Sequence, residues 1–190
     1  MLDDFLTVSE KPCQPRIENQ TSVVWKPPPP RFFKVNVDGA LFSKTKPAGV
    51  GVMVCDKEGA VITAMSKKVD LPLGALATKA KALEIRVTFT EEVGFKDVVF
   101  EGDSQLIINV VHGIGETEVL VLNIIHGVLR KAQCFRTFDF LHIKRQGNAP
   151  AHLLAQHAQN VENMVVWLED CPNQVTRACA HDVLVFQSYE

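Results

Sequence analysis

The sequence predicts an α/β protein with three layers, in which a five-stranded mixed sheet carries helices on both faces. Three observations support this fold class. Short strand-like runs follow one another between residues 33 and 65, as in a β-meander. Apolar residues at helical spacing then occupy roughly 75–93. Beyond that helix, short apolar runs alternate with helical patterns, and a strand–helix–strand order implies a parallel crossover.

The first predicted strand ends in a carboxylate. Along it, apolar and polar residues alternate: Phe33, Val35 and Val37 with Lys34, Asn36 and Asp38. Such alternation is typical of a half-buried strand whose apolar face points inward. Two further runs, 49–54 and 60–65, are joined by a short polar connector that ends in Gly59, so we expect the three strands to pair antiparallel.

Apolar spacing predicts the remaining elements. The helix over 75–93 has Gly94 as its stop signal, and its apolar residues recur at helical spacing: Leu76, Ala80, Leu83 and Val87. Residues 97–100 are a short apolar run, as expected for a strand covered on both faces. Two helical patterns come next, then a strand over 135–141, a loop, and a last helix with Asn148 as its N-cap.

Three segments are predicted along the chain. Residues 1–30 have little hydrophobic periodicity and end in four consecutive prolines, which cannot donate ladder hydrogen bonds and favour an extended conformation. We therefore predict a leader or linker, with a ligand for proline-recognising domains as the alternative interpretation. Residues 31–165 form the predicted domain, and 166–190 form a C-terminal tail with a short helix.

Length and charge limit the classes of function. A chain of 190 residues, 46% of them hydrophobic, can bury one ordinary core, so we expect a single domain. The formal net charge of −2 argues against a generally basic nucleic-acid coat, because phosphate binding depends on clustered Lys and Arg. Two local basic pairs, 130–131 and 144–145, are candidates for ligand contact.

Cysteine usage and hydropathy bear on the compartment. The five cysteines are widely spaced, odd in number and without a Cys-x-x-Cys pair, which favours reduced thiols and argues against a zinc site. The sequence has no run of about 18 apolar residues that could span a membrane. The acidic start of the chain is unlike a signal peptide. We expect an intracellular monomer without membrane contact, in the nucleus or the cytoplasm.

Two aspartates stand at the ends of predicted strands, each beside a glycine. Asp38 precedes Gly39, and Asp103 follows Gly102. A glycine lets the chain turn without a side-chain clash, and a carboxylate at a strand end can be presented to a metal ion. Asp38 and Asp103 are therefore the first candidate metal ligands.

Four motifs in a fixed order resemble a known family. They are Trp25-Lys-Pro-Pro with Lys34-Val-Asn-Val-Asp38-Gly39-Ala40, Ala80-Lys-Ala82-Leu83-Glu84, Val99-Phe-Glu-Gly-Asp103-Ser104, and His142-Ile-Lys-Arg145-Gln-Gly-Asn148 with Ala151-His152. Together they resemble the type-1 ribonuclease H family, and more closely the ribonuclease H-like domains that plant genomes derive from non-LTR retrotransposons. The resemblance covers about residues 25–185, including Trp167-Leu-Glu-Asp-Cys-Pro172 in the tail.

The resemblance implies a ribonuclease H-like fold and metal-assisted cleavage of the RNA strand of an RNA–DNA hybrid. Family members hold two divalent ions, normally Mg²⁺, with four carboxylates. The first carboxylate corresponds to Asp38 and the third to Asp103, which are thus implied catalytic and metal-binding residues. The second corresponds to Lys79 and the fourth to His152, so two catalytic positions are degenerate. Glu84 lies about 140° around the helix from position 79 and does not substitute for it.

Two histidines have alternative interpretations. His152 is either a weak ligand, suited to Mn²⁺ better than to Mg²⁺, or a helix-surface residue without a metal. His142 lies ten residues earlier, where the family has a loop histidine that assists catalysis, or else it simply ends the strand before it. The same motifs imply nucleic-acid contacts from five residues: Asn36, Ser104, Lys144, Arg145 and Asn148.

Three functions follow as hypotheses. The first is an RNA–DNA hybrid ribonuclease of weak activity, because the site has lost two carboxylates and gained one ammonium. A like-charge contact at about 4 Å costs on the order of 4 kcal/mol at an effective dielectric near 20, which disfavours Mg²⁺ beside Lys79. The second is a non-catalytic binder of hybrid or double-stranded RNA. The third is a protein-interaction module that retains the fold.

Overall fold

The structure is a computed structural model that describes residues 25–42, 47–70 and 74–188. Most of the predicted leader, together with Cys13, lies outside these residues. Six strands form one sheet: β1 Phe33–Leu41, β2 Ala48–Cys55, β3 Val61–Val69, β4 Asp97–Gly102, β5 Thr137–His142 and β6 Met164–Leu168. Their order across the sheet is β5-β4-β1-β2-β3-β6.

The sheet is mixed, as predicted. Strands β1, β2 and β3 pair antiparallel, whereas β4 pairs parallel with both β1 and β5. The prediction of five strands is wrong, because β6 adds an antiparallel edge strand beside β3. The predicted boundary between residues 165 and 166 divides this strand between the domain and the tail, although a run of Met, two Val, Trp and Leu has high strand propensity.

Helices cover both faces of the sheet, which confirms the three-layer prediction. They are α1 Ala75–Val93, α2 Gln105–Val111, α3 Val119–Ala132, α4 Ala149–His157 and α5 Asn173–Gln187. Helix α1 has the predicted bounds and ends at Gly94, whose φ of 95° is left-handed. None of these described helices has the length and apolar character needed to cross a membrane.

Two apolar clusters fill the spaces between the layers. The larger lies between the sheet and α1–α3 and includes Val35, Val37, Leu83 and Phe100. The smaller lies under α4 and α5 and includes Trp25, which is 4% exposed. Trp25, two residues before the first proline, is therefore anchored in the core of the domain.

Helix α4 lies unusually close to β2. A Cβ atom on Gly51 would stand 2.3 Å from both the carbonyl oxygen of Ala151 and the backbone nitrogen of Ala155. Only glycine permits this approach, because real Cβ atoms do not come that near to backbone. The contact fixes the first turns of α4 against the sheet, next to the end of β1.

The predicted tail contains a 15-residue helix, α5, where a short helix was expected. Its inner side is buried through Val175 and Cys179. Burial raises the pKa of the Cys179 thiol to about 12, so this thiol is protonated at neutral pH. The four described cysteines are free.

Asp182 on α5 provides a test of how this helix is held. Burial raises the pKa of its carboxyl group to about 6, and its Oδ2 has no hydrogen-bond partner among the described residues. Between about pH 4 and pH 6 the native state binds more protons at this group than the unfolded state, so stability falls as pH rises through that window. Asp182→Asn removes the cost of burying an ionised carboxylate at pH 7. We therefore expect a gain of about 1 kcal/mol in the free energy of unfolding at pH 7, after allowance for solvent screening.

Urea denaturation at pH 4 and pH 7 measures this effect. The gain should be present at pH 7 and absent at pH 4. Glu162→Gln, an exposed carboxylate neutralised in the same way, should change neither value. An equal gain at both pH values would mean that charge is not the cause.

Candidate functional site

The two strand-end aspartates meet at one edge of the sheet. Strand β1 pairs parallel with β4 in a register that sets Val37 beside Gly102, so the next residues, Asp38 and Asp103, are neighbours. The Asp38 side chain is 1% exposed and that of Asp103 is 8% exposed. Two ionised carboxylates that are buried side by side require a nearby positive charge, because the negative charge of one disfavours ionisation of the other.

Lys79 supplies that charge. Its Nζ donates hydrogen bonds to Oδ1 of Asp38 and, at 2.7 Å, to Oδ1 of Asp103. The residue lies in the second turn of α1, which packs tightly over the end of β1: a Cβ on Gly39 would stand 3.2 Å from the Thr78 methyl group. The ammonium group therefore lies between the Oδ1 atoms of the two carboxylates, which we call their inner oxygens.

His152 occupies the other side of Asp38. Its Nδ1 lies 2.6 Å from Oδ2 of Asp38, and its Nε2 lies 3.0 Å from Nε2 of Gln156, one turn further along α4. With Nδ1 donating its proton to the carboxylate, Nε2 is the acceptor for the Gln156 amide. Both outer and inner oxygens of Asp38 thus have partners from this chain.

Arg145 approaches from a 3₁₀ turn, Arg145–Asn148, that precedes α4. Its Nε lies 3.5 Å from Oδ2 of Asp103, while its side chain is 69% exposed. Lys144, next to it, is exposed as well. The Arg145 guanidinium thus places positive charge at the rim of the site.

The structure thus brings together Asp38, Lys79, Asp103 and His152, which are the four positions that the family resemblance aligns with metal-binding carboxylates. Ser104 lines the same pocket at the start of α2. His142 is different: it ends β5, opposite Gly102, and its Nδ1 is buried without a hydrogen-bond partner among the described residues. This placement matches the interpretation of His142 as the end of a strand, and its catalytic role remains a prediction.

Two of the five predicted nucleic-acid contacts are buried, which requires a correction. Asn36 and Asn148 are each 1% exposed. The Nδ2 of Asn36 donates to Oδ1 of Asn148 at 3.2 Å, and Nδ2 of Asn148 donates to the Val37 carbonyl oxygen at 2.9 Å. Asn148 precedes α4 as predicted, but its side chain makes no capping hydrogen bond because it is bound to β1. These two amides are bound to each other and to β1, and neither is exposed on the surface of the site.

Arg86 braces the two strands that carry the aspartates, and sequence patterns did not indicate it. This residue is fully buried in the face of α1 that packs on the sheet, and its Nη1 donates to the carbonyl oxygens of Val35 on β1 and Glu101 on β4. The guanidinium lies 4.9 Å from the centre of the Phe100 ring. Burial lowers the pKa of Arg86 to about 9. The sequence signal for it is an arginine among the mostly apolar residues of this helix face.

The side chains of this site do not fit a divalent metal centre. Mg²⁺ requires several oxygen ligands, and the inner oxygens of Asp38 and Asp103 are already bonded to the Lys79 ammonium. Among the residues that the structure describes, no group of three or more His, Cys, Asp or Glu side chains could hold a metal ion. With two carboxylates, one ammonium and one guanidinium, the site is close to neutral before any ion binds.

An open groove of about 520 Å³ runs from this site along the first turns of α4. Its walls combine charged, amide and apolar side chains, one carboxylate among them: Asp38, Leu41, Phe42, Lys79, Arg145, His152, Gln156 and Gln159. Lysine, arginine and glutamine donors on one open surface suit an extended anionic ligand such as a nucleic-acid backbone.

A family model described as reverse transcriptase-like matches residues 36–158, a span that begins two residues before Asp38 and ends after His152. The chain belongs to this family. A comparison with curated proteins found none that matches.

Solved ribonuclease H structures share the fold. Ribonuclease H1 from the halophilic archaeon Halobacterium salinarum aligns with a TM-score of 0.64 at 22% identity, over 68% of this chain and 98% of that chain. The N-terminal ribonuclease H domain of a Mycobacterium tuberculosis protein aligns with a TM-score of 0.61 at 18% identity, over 68% and 94%. LC11 ribonuclease H1, solved in complex with an RNA/DNA hybrid, aligns with a TM-score of 0.61 at 21% identity, over 67% and 96%. The reverse transcriptase-like chain therefore has the ribonuclease H fold.

Proposed function

We propose that this protein binds RNA–DNA hybrids, and by the same A-form geometry double-stranded RNA, through the groove beside Asp38, and that its metal-dependent cleavage of the RNA strand is weak or absent. One observation carries the proposal: the Lys79 ammonium bridges Asp38 and Asp103. In the family the corresponding carboxylates hold Mg²⁺, and Mn²⁺ is the alternative that His152 would favour. Here the positive charge comes from the protein itself.

The cationic side chains of the groove are expected to bind the phosphates of a nucleic-acid duplex. Arg145 lines the groove and is exposed, the neighbouring Lys144 is exposed as well, and Lys79 has one ammonium proton beyond the two that it donates to the aspartates. Arginine binds phosphate through two parallel hydrogen bonds, and A-form duplexes are recognised largely through phosphates and 2′-hydroxyls. Family membership, and the hybrid complex known for LC11 ribonuclease H1, support a hybrid as the ligand.

The proposal also covers the setting of the protein. We propose an intracellular monomer, in the nucleus or the cytoplasm, of the retrotransposon-derived kind found in plants. The predicted boundaries between leader, domain and tail belong to the same proposal, with the domain extended to include Trp25, which is buried against it.

Binding without divalent metal is the first expected result. A labelled hybrid should bind in EDTA as tightly as in Mg²⁺, with an affinity that falls as salt rises, because phosphate contacts release counterions. Arg145→Ala should weaken binding by about tenfold, the loss of one charge-assisted contact. Fluorescence anisotropy with hybrid, double-stranded RNA and DNA duplexes of one sequence measures both effects.

Arg177→Ala is the matched control, because Arg177 is an exposed arginine on α5, outside the groove. It should leave the affinity unchanged. A strict requirement for Mg²⁺ would contradict the proposal, and so would rapid cleavage of the hybrid by the wild-type protein.

A second candidate function is a protein-interaction module that retains the fold. The edge strand β6 favours it, since Met164, Val166 and Leu168 are exposed to 49%, 40% and 72%. An apolar sheet edge can accept a further strand from a partner. Failure to bind any of the duplexes at low salt would favour this function over the first.

A further inference from the structure

A continuous buried chain of polar side chains runs beneath the site, on the side of the sheet that α4 covers. Lys34 forms an ion pair with Oε1 of Glu101 at 2.6 Å, with both side chains less than 10% exposed. Oε2 of Glu101 accepts a hydrogen bond from Asn36 at 3.2 Å. Asn36 in turn donates to Asn148, at the end of the Arg145–Asn148 turn.

At its other end, this network of polar side chains reaches the segment before the proline run. Nζ of Lys34 donates to the carbonyl oxygen of Lys26 and lies 5.3 Å from the centre of the Trp25 ring. A charge this deeply buried must be paired on all sides, because an unpaired buried charge costs several kcal/mol. The Trp25–Lys26 backbone is thus one of the partners that make the buried Lys34–Glu101 pair tolerable.

The same segment touches the turn directly. A Cβ on Gly147 would stand 3.3 Å from the backbone nitrogen of Trp25 and 2.7 Å from Cδ1 of Ile143. Gly147 therefore lies in the narrow space between Ile143, which follows β5, and the segment before the prolines. Two independent contacts, one polar and one steric, connect Trp25 and Lys26 to the turn that carries Arg145.

We propose that Lys34, Glu101, Asn36 and Asn148 are positioning residues that couple the Trp25–Lys26 segment to the Arg145–Asn148 turn, so that the residues before the proline run are a structural part of the binding site. The proposal rests on the proposed function only where it concerns ligand affinity. Arg145 is exposed and makes one long contact with Asp103, so its position depends on the backbone of the turn. That backbone is held by Asn148 at one end and by the packing of Gly147 in its middle.

Three variants test the coupling from its two ends. Glu101→Gln keeps the shape of the side chain and removes the negative charge that pairs with Lys34. Trp25→Ala removes the ring beside Lys34 and loosens the segment at Gly147, whereas Trp25→Phe keeps an aromatic ring there. We expect amide hydrogen exchange at residues 145–148 to accelerate about tenfold or more in Glu101→Gln and Trp25→Ala, but to stay near wild type in Trp25→Phe. Exchange in β2 and β3 should change little.

A double-mutant cycle tests the link to the ligand. Glu101→Gln and Trp25→Ala should each weaken hybrid binding about five- to tenfold in the wild-type background, and neither should weaken it further when Arg145 is already alanine. Unchanged exchange at 145–148 in Trp25→Ala would overturn the coupling, and so would affinity losses that add fully to that of Arg145→Ala.

The two proposals fail separately. If no duplex binds, the proposed function is wrong, and hydrogen exchange in the free protein still decides whether the segment and the turn are coupled. Should Glu101→Gln fail to fold, the comparison of Trp25→Ala with Trp25→Phe tests the same coupling from the Trp25 end of the polar network.

Discussion

Lys79→Met should unfold at a clearly lower urea concentration than the wild-type protein, with a loss on the order of 3 kcal/mol in the free energy of unfolding. The substitution leaves the carboxylates of Asp38 and Asp103, 1% and 8% exposed, next to each other without the shared ammonium. A buried charge that loses its partner keeps its desolvation cost and loses the compensating attraction. The Lys79 side chain is 21% exposed, so solvent recovers some of the loss and the figure is kept at the low end of the range for buried pairs.

Divalent ions should act differently on the two proteins. In Lys79→Met, Mn²⁺ or Mg²⁺ can take the place of the missing ammonium, and a ligand that binds only the native state stabilises it by an amount that grows with the logarithm of the ligand concentration above Kd. Urea midpoints measured across a series of MnCl₂ concentrations should therefore rise for the variant and stay flat for the wild type.

Lys81→Met is the matched control for this experiment. Lys81 lies on the same helix and pairs with Glu84, but both side chains are about one-third exposed. Such a pair contributes about 0.5 kcal/mol or less. Equal losses for the two variants, or a wild-type protein that MnCl₂ stabilises as strongly as Lys79→Met, would contradict the assignment of Lys79 as the resident cation of the site.

Local patterns in the sequence predicted the part of the site that depends on local structure. The helical spacing and the glycine stop gave α1 its bounds, and a carboxylate beside a glycine marked the ends of β1 and β4. Because parallel strands end at the same edge, Asp38 and Asp103 could be expected to meet. The family motifs then aligned Lys79 and His152 with the same site, and both contact Asp38 in the structure.

Contacts between distant parts of the chain could not be predicted in this way. Asn36 and Asn148 belong to the right motifs, but their burial depends on Glu101, 65 residues from Asn36 along the chain. Periodicity gives the face on which a residue lies and not the partner opposite it. The edge strand β6 was missed for a related reason: its pairing with β3 joins segments about a hundred residues apart, and five residues of strand propensity do not reveal it.

Trp25 shows how composition misleads at a boundary. Four prolines in a row suggested a linker that would extend through residue 30, and polyproline does lack internal hydrogen bonds. Yet the tryptophan before them is buried and its neighbour's carbonyl oxygen accepts a hydrogen bond from Lys34. A large aromatic residue beside a proline run was the one available signal that the segment is anchored.

Restoring the two missing carboxylates should restore metal-dependent cleavage. The double variant Lys79→Glu, His152→Asp places four carboxylates around one corner of the sheet, the set that the family resemblance implies. We expect cleavage of the RNA strand of a hybrid in Mg²⁺ to rise by on the order of 100-fold over the wild type, since metal ions contribute several kcal/mol to such reactions. Metal binding should appear independently of activity, as a change in the electron paramagnetic resonance signal of free Mn²⁺ on titration with the protein.

Three control variants give the double variant its meaning. Lys79→Gln removes the ammonium without adding a ligand, and should bind Mn²⁺ weakly with little cleavage. Adding Asp103→Asn to the double variant should abolish both metal binding and cleavage, because Asp103 is one of the two original carboxylates. Lys81→Glu with His152→Asp has the same net charge as the double variant but directs the new carboxylate at position 81 away from Asp38, since residues two apart on a helix do not share a face. If that protein cleaves as well as the double variant, or if the wild type already does, then Lys79 is not what limits the chemistry of this site.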